Sequence, residues 1–219
     1  MTTYGITGAT GQLGSLAADL LLQQVDPADV VLLSRSPEKI AAAGATTRAA
    51  DFDSPEGLVE AFTGIDELLL VSTDVLGSRL EGQRAAVEAA AKAGVRRVLY
   101  TSVPDPSEDN PALVAPDHLG ALLSTDVDDT ALDVTGPTSV TADDIAALAA
   151  ERRGEPVQVV QVDDAAYVAG LEQAGLPTFV AELLASFGTA IREGRLAEVT
   201  SAVEDLTGRP ATPLATALA

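Results

Sequence analysis

Cysteine is absent from the 219 residues. That excludes disulfides, thiolate metal sites and a cysteine nucleophile. Tryptophan is absent too, and aromatics make up only 3% of a chain that is 47% hydrophobic, so the core must be aliphatic and rich in alanine. Lys39 and Lys92 are the only lysines and His118 the only histidine. No basic-plus-apolar N-terminal segment suggests a signal peptide, and no apolar run approaches membrane-spanning length; a soluble cytoplasmic protein is the expectation. Positive charge is scarce, with 13 basic against 33 acidic residues and a net charge of −20. Such a chain repels nucleic acid and anionic membranes in bulk, and its acidity reads as solubility or adaptation to salt. An anionic ligand must then be held by backbone amides and a few local arginines. The acidic run 126–129 lacks the glycine and terminal glutamate of a calcium loop, so no metal site is assigned.

What is present centres on residues 6–14, I-T-G-A-T-G-Q-L-G. A short apolar run ends in glycines spaced G-x-x-G-x-x-G, at Gly8, Gly11 and Gly14. A helix follows, with Leu13, Leu16, Ala17, Leu20 and Leu21 expected on its packed face. Strand, glycine turn and helix together form a dinucleotide-binding context. Gly8 permits the turn, Gly11 admits a pyrophosphate to the backbone, and Gly14 lets helix and strand pack closely. The helix N-terminus offers unpaired N–H groups and a positive dipole end. Thr7, Thr10, Gln12 and Leu13 belong to the same turn.

Strands are expected at 2–7, 30–34, 46–50, 67–71 and 97–101. Helices are expected at 12–24, from Pro37 to near Gly44, from Pro55 (capped by Ser54) to Gly64, and at 79–93. This alternation, five times over, implies an α/β fold: a three-layer Rossmann-type parallel sheet, with ligands bound along the C-terminal edge of its strands. Four prolines between Val103 and Val134 break the pattern, leaving only a short helix from His118. Short strands are then expected at 131–134 and 157–162. Thr141 and Asp144 resemble a capping box opening a helix with Ile145 and Leu148. Further helices are expected at 165–173, 177–192 (apolar face Phe179, Val180, Leu183, Leu184, Phe187, Ile191) and 196–206, with a frayed end. The division is 1–130, an NAD(P)-binding Rossmann domain, and 131–219, a small mostly helical C-terminal lobe on the substrate side.

An acidic residue ending the second strand would bond the ribose 2′-hydroxyl of NAD. Here Ser34-Arg35-Ser36 stands in that place, and a guanidinium pairs with a 2′-phosphate. NADP(H) is therefore expected, with Arg35 and Lys39 on the phosphate, Asp51 and Phe52 at the adenine, and Ser72 and Thr73 along the ribose. Arg79 and Arg84 open the helix at 79–93 near the cofactor edge; contact with phosphate is one reading for either, and a solvated helix face is the favoured one.

The motifs T-G-A-T-G-Q-L-G, S-R-S-P-E-K, A-D-F-D, L-L-L-V-S and V-L-Y-T-S resemble the NmrA-like atypical short-chain dehydrogenases, and most of all the type-2 quinone oxidoreductases. V-T-G-P-T-S-V-T-A-D-D-I-A (134–146), G-L-P-T-F (175–179) and L-T-G-R-P (206–210) extend the resemblance over nearly the whole chain. It implies a C-terminal lobe closing over the nicotinamide and reduction of quinones by NADPH. After strand five the family has a His-x-x-Thr-Glu helix and a further core strand. Here Leu119-Gly120-Ala121-Leu122 follows His118, without Thr or Glu, as if a segment near 119–130 were deleted. The shortened sheet would expose an edge and invite a homodimer.

Short-chain dehydrogenases typically pair a serine after strand five with Tyr-x-x-x-Lys. Ser102 fits the first, but no tyrosine follows until Tyr167 and no lysine follows at all, which excludes a lysine-depressed tyrosine. Quinone reduction asks only for stacking, exclusion of water and one hydrogen-bond donor, since the cofactor carries the hard chemistry. Ser102, Thr101 and Tyr100 are the candidate donors, and His118 is the remaining candidate catalytic residue. Two readings stay open: an NADPH-dependent oxidoreductase acting on a small quinone-like substrate, and a catalytically silent NADP(H)-binding redox sensor.

Overall fold

The computed structural model describes residues 1–40, 44–73, 79–122 and 130–218. Five strands, β1 (Tyr4–Ile6), β2 (Val30–Ser34), β3 (Thr46–Ala49), β4 (Glu67–Leu70) and β5 (Arg97–Tyr100), form one parallel sheet in the order β3-β2-β1-β4-β5. Between them run α1 (Gln12–Leu22), α2 (Leu58–Phe62) and α3 (Arg79–Lys92), and α4 (Ala115–Leu122) follows β5. The chain builds outward from β1 on one side, then crosses to β4 on the other. The sheet therefore reverses direction between β1 and β4, the switch point at which such sheets bind ligands.

β2 is buried along its whole length, as a strand covered on both faces must be. Val31 and Leu33 join Leu58, Phe62, Leu68 and Ala86 on the face covered by α2 and α3. Val30 and Leu32 join Ile6 and Ala18 on the α1 face. Three layers result. β3 and β5 are the edge strands, with Thr46, Thr47 and Ala49 of the first and Arg97, Val98 and Leu99 of the second exposed.

Contacts divide the chain into two compact units. Met1–Val103 with Pro116–Val127 forms the first, and Pro104–Ala115 with Asp128–Ala219 the second. The segment 104–115 thus packs with the second unit. Arg195 bonds Asp105 and Asp109 at 2.8 and 3.1 Å, and Leu113 N–H donates to Ser186 Oγ at 3.1 Å. The second unit carries α5 (Ala142–Arg153), α6 (Asp164–Gln173), α7 (Thr178–Arg192), α8 (Ala202–Thr207) and α9 (Leu214–Ala217). The capping box of Thr141 and Asp144 is formed at the start of α5, and Gly154 closes that helix in the left-handed region at φ +70.

Several elements differ from the sequence-based expectation. The packed face of α1 is Gly14, Ala17, Ala18, Leu21 and Leu22; Leu13, Leu16 and Leu20 are exposed. Gly14 sets that rotation, because a Cβ there would lie 2.2 Å from the Gly8 carbonyl oxygen. Pro37–Lys39 is a single 3-10 turn after which Ile40 is extended, and the expected helix end at 41–43 lies outside the described residues. Ser54 makes no side-chain cap; Pro55–Gly57 is a 3-10 turn leading into α2. Residues 131–134 and 157–162 form no strand, and Leu132, Val134, Val160 and Val162 are exposed. β-branched runs are stable as strands only against a packed, paired neighbour, and among the described residues the ladders all lie within β1–β5. Residues 196–201 are not helical. Thr200 N–H donates to Thr135 Oγ1 at 2.9 Å and its hydroxyl donates to the Asp133 carbonyl, a local alternative to helix. α7 buries Ala181, Ala185 and Ala190 rather than Phe179, Leu184 and Ile191, which are exposed. The C-terminal end carries α9 instead of fraying.

Phe62 is fully buried in the larger core cluster and Leu16 is 62% exposed. Phe62→Ala is expected to cost about 3–5 kcal/mol and Leu16→Ala less than about 0.5 kcal/mol, read from urea unfolding. A large loss for Leu16→Ala would contradict the rotation of α1.

Candidate functional site

The site begins where β1 ends. Thr7 is buried; its N–H donates to the Leu69 carbonyl at 2.9 Å, and its Oγ1 accepts from Val71 N–H at 2.8 Å. These bonds tie β1 to β4 across the switch point. Gly8 then turns at φ +64, and Gly11 N–H closes the turn on the Gly8 carbonyl at 2.8 Å. α1 starts at once. Its cap residue is Gly11, with no side-chain cap bond and no acidic residue in the first turn. The positive end of the helix is therefore left to a ligand, the arrangement that binds phosphate.

A cavity of about 370 Å³ opens there, lined by Thr7, Gly8, Thr10 and Gly11 of the turn, Ser34 and Arg35 after β2, Asp51 and Phe52 with Ala50 and Asp53 after β3, and Val71, Ser72 and Thr73 after β4. Its size lies within the roughly 300–1,000 Å³ typical of small-molecule clefts. Four strand ends remote in sequence thus converge on one space. Gln12, Leu13 and Lys39 are exposed and do not line it. Gly14 is buried and acts by admitting the helix to the turn. Ser34 is a lining residue that sequence reasoning passed over. Its Oγ lies 2.9 Å from Thr10 Oγ1 and accepts from Ser36 N–H at 3.1 Å. The S-R-S motif was the available signal.

The expected catalytic residues separate. Thr101 Oγ1 accepts from Ser72 N–H at 2.8 Å and donates to Ser72 Oγ at 3.1 Å, so it fixes the loop after β4. Ser102 is exposed. His118 is buried on α4, with Nδ1 2.9 Å from the Tyr100 hydroxyl, which donates to Gln83 Oε1 at 2.5 Å. With its one proton committed to Gln83, Tyr100 accepts from His118 Nδ1–H. No hydrogen bond joins Thr101, Ser102 and His118 among the described residues. Arg84 is exposed, but Arg79 is buried rather than solvated, because its side of α3 faces Tyr100 and His118. Arg79 Nε and Gln83 Nε2 are buried without hydrogen-bond partners. Burial, and secondarily the Arg79 guanidinium, push the His118 pKa down to about 4. Burial also holds the Tyr100 hydroxyl well above its ordinary value. Both groups are therefore neutral at pH 7.

The acidic run 126–129 lies outside the described residues. Among the described residues no cluster of His, Cys, Asp or Glu could hold a metal ion, and no helix is long and apolar enough to cross a membrane.

Residues 8–127 match the family model described as NAD(P)H-binding. Quinone oxidoreductase 2 of Escherichia coli is 26% identical, covering 96% of this chain and 95% of that protein. That alignment is 273 positions long against a chain of 219, so the relative carries residues with no counterpart here. An NmrA-like family domain-containing oxidoreductase of Aspergillus flavus is 36% identical over 108 residues, 46% of this chain and 35% of that protein. The crystal structure of the Escherichia coli quinone oxidoreductase QOR2 complexed with NADPH superposes at a TM-score of 0.88, with 24% identity, covering 99% of this chain and 98% of that one. That likeness confirms the Rossmann-type fold.

A depressed histidine pKa means that the unfolded chain takes up a proton which the folded chain refuses between pH 6.5 and 4. The contribution of His118 to stability is therefore complete above pH 6.5 and is lost as pH falls, at up to about 1.4 kcal/mol per unit. Because His118 is the sole histidine, its ring resonances in NMR need no assignment. They are expected to titrate with a midpoint near 4; a midpoint near 6.5 would contradict its burial.

Proposed function

The chain belongs to the NAD(P)H-binding family, and from that premise we propose an NADPH-dependent oxidoreductase that passes hydride to a quinone or similar small electrophile. The observation carrying this reading is the cavity lined both by the glycine turn, including Gly11 at the uncapped start of α1, and by Arg35. No carboxylate ends β2, so nothing there repels a 2′-phosphate. Arg35 is exposed and carries the fork of donors that such a phosphate accepts. Lys39, at the end of the turn after Arg35, adds a second positive charge nearby. The amides of the first turn of α1 would hold the pyrophosphate, Asp51 and Phe52 the adenosine, and Ser72 and Thr73 the nearer ribose.

When bound, the nicotinamide supplies the hydride. The chain must then orient the rings, keep out water and donate a hydrogen bond to the reduced oxygen. Thr101 holds Ser72 in place through two bonds, and the exposed Ser102 beside it is the free hydroxyl suited to be the donor. His118, neutral and locked to Tyr100, acts as a support of β5 rather than as a general acid.

The second reading, a catalytically silent NADP(H) sensor, draws on the length of the chain, which falls well short of its alignment with the quinone oxidoreductase. Following NADPH absorbance with a simple benzoquinone separates the two. Turnover above an enzyme-free control supports the oxidoreductase; tight NADPH binding without turnover supports the sensor; binding of neither cofactor overturns both. Arg35→Glu is expected to weaken NADPH roughly 10- to 100-fold, the worth of a hydrogen bond to a charged group, and NADH by less than about two-fold. Equal losses would remove the 2′-phosphate assignment.

A further inference from the structure

We propose that Ser34, paired with Thr10, determines the preference for a 2′-phosphorylated cofactor by supplying a hydroxyl donor to that phosphate and by holding Arg35 in position. The inference rests on the NADPH reading given above and concerns the same cavity.

Proton counting carries the first part. Ser34 is 5% exposed, and its Oγ already accepts Ser36 N–H at 3.1 Å. The same Oγ lies 2.9 Å from Thr10 Oγ1, and either atom can donate. The two hydroxyls own two protons and share one bond. If Thr10 donates, the Ser34 proton is left over; if Ser34 donates, the Thr10 proton is. In both arrangements one O–H remains on a wall that Thr10, Ser34 and Arg35 share. A hydroxyl donor in a cavity that a guanidinium also lines bonds a dianionic phosphate more strongly than the neutral 2′-hydroxyl of NADH, because the bond to the phosphate is charge-assisted. The two carboxylates of the cavity, Asp51 and Asp53, stand on the separate loop after β3.

Geometry carries the second part. Arg35 lies between Ser34 and Ser36, which the Ser36 N–H to Ser34 Oγ bond joins. The Ser34 carbonyl accepts Ala50 N–H at 3.0 Å, and Ala9 N–H donates to the Leu33 carbonyl at 3.0 Å. Ser34 Oγ reaches back to the glycine turn and forward to Ser36. The backbone of Arg35 is thereby tied on both sides, and its long side chain starts from a defined origin. Ser34 is in this respect a positioning residue for Arg35.

Calorimetric titration with 2′,5′-ADP and with 5′-AMP isolates the 2′-phosphate from every other part of the cofactor. Wild type is expected to favour 2′,5′-ADP. Ser34→Ala should reduce that preference at least five-fold while leaving 5′-AMP within two-fold. Thr10→Val, at an exposed position, should reduce it less. The double variant should be no worse than Ser34→Ala alone, because the hydroxyls act as one unit. A merely structural role would weaken both ligands together. Should Ser34→Ala fail to fold, Thr10→Val decides alone: an unchanged preference overturns the proposal. If Arg35→Glu abolishes the preference and Ser34→Ala does not, the proposal fails while the NADPH reading stands. If wild type shows no preference, the NADPH reading fails and takes the proposal with it.

Discussion

The contact between Gly14 and the Gly8 carbonyl governs this fold. A methyl group at position 14 would lie 2.2 Å from that oxygen and 2.6 Å from its carbon, a collision with backbone that no rotamer relieves. With hydrogen alone at that position, α1 seats directly on the turn that ends β1. Three consequences follow from the one approach. The helix is rotated so that Gly14 and Ala18 face the sheet, and Leu13, Leu16 and Leu20 face solvent. Its N-terminal amides are brought to the mouth of the cavity without a side chain to cap them. The turn itself is carried to the edge of β2, where Thr10 meets Ser34.

The sheet was legible in the sequence because parallel strands covered on both faces write themselves as unbroken apolar runs. V-V-L-L-S and E-L-L-L are strands as expected, and glycines close the intervening segments where φ turns positive, as at Gly64 and Gly94. The rotation of α1 was not legible. Its leucines repeat at helical spacing, and the packed face was decided by the residue that is smallest, not by those that are most apolar. In the second unit the same limit appears as unpaired strands. The apolar run at 131–134 and the β-branched run at 157–162 have no ladder partner among the described residues, so composition overstated them. Alanine misled in the other direction at α7, where Ala181, Ala185 and Ala190 are buried, Val180, Leu183 and Phe187 are half-buried, and Phe179, Leu184 and Ile191 are exposed.

The lining of the cavity was largely legible, since strand ends are read directly from the strands. Arg35, Asp51, Phe52, Ser72 and Thr73 meet in one cavity as that geometry requires. The substrate side was not. Thr101, Ser102 and His118 are close in sequence to the end of β5, yet one secures the β4 loop, one is exposed and one is buried against Tyr100. Sequence shows which residue types are near an edge; it does not show which protons are already committed. Tyr100 has spent its proton on Gln83, and His118 its Nδ1 proton on Tyr100.

A chain of net charge −20 that binds a polyanion must do so by short-range means. The general field of the protein opposes approach, but it is screened beyond about 8 Å at physiological salt. Amides at a helix end and a single guanidinium act inside that distance, where orientation counts for more than net charge. Scarcity of positive charge also sharpens discrimination. With Arg35 the only cation lining the cavity among the described residues, little general attraction exists to bind phosphate indiscriminately. On the proposed reading selectivity falls to the loop after β2, whose start is joined to the glycine turn by one hydroxyl against another, Thr10 Oγ1 2.9 Å from Ser34 Oγ.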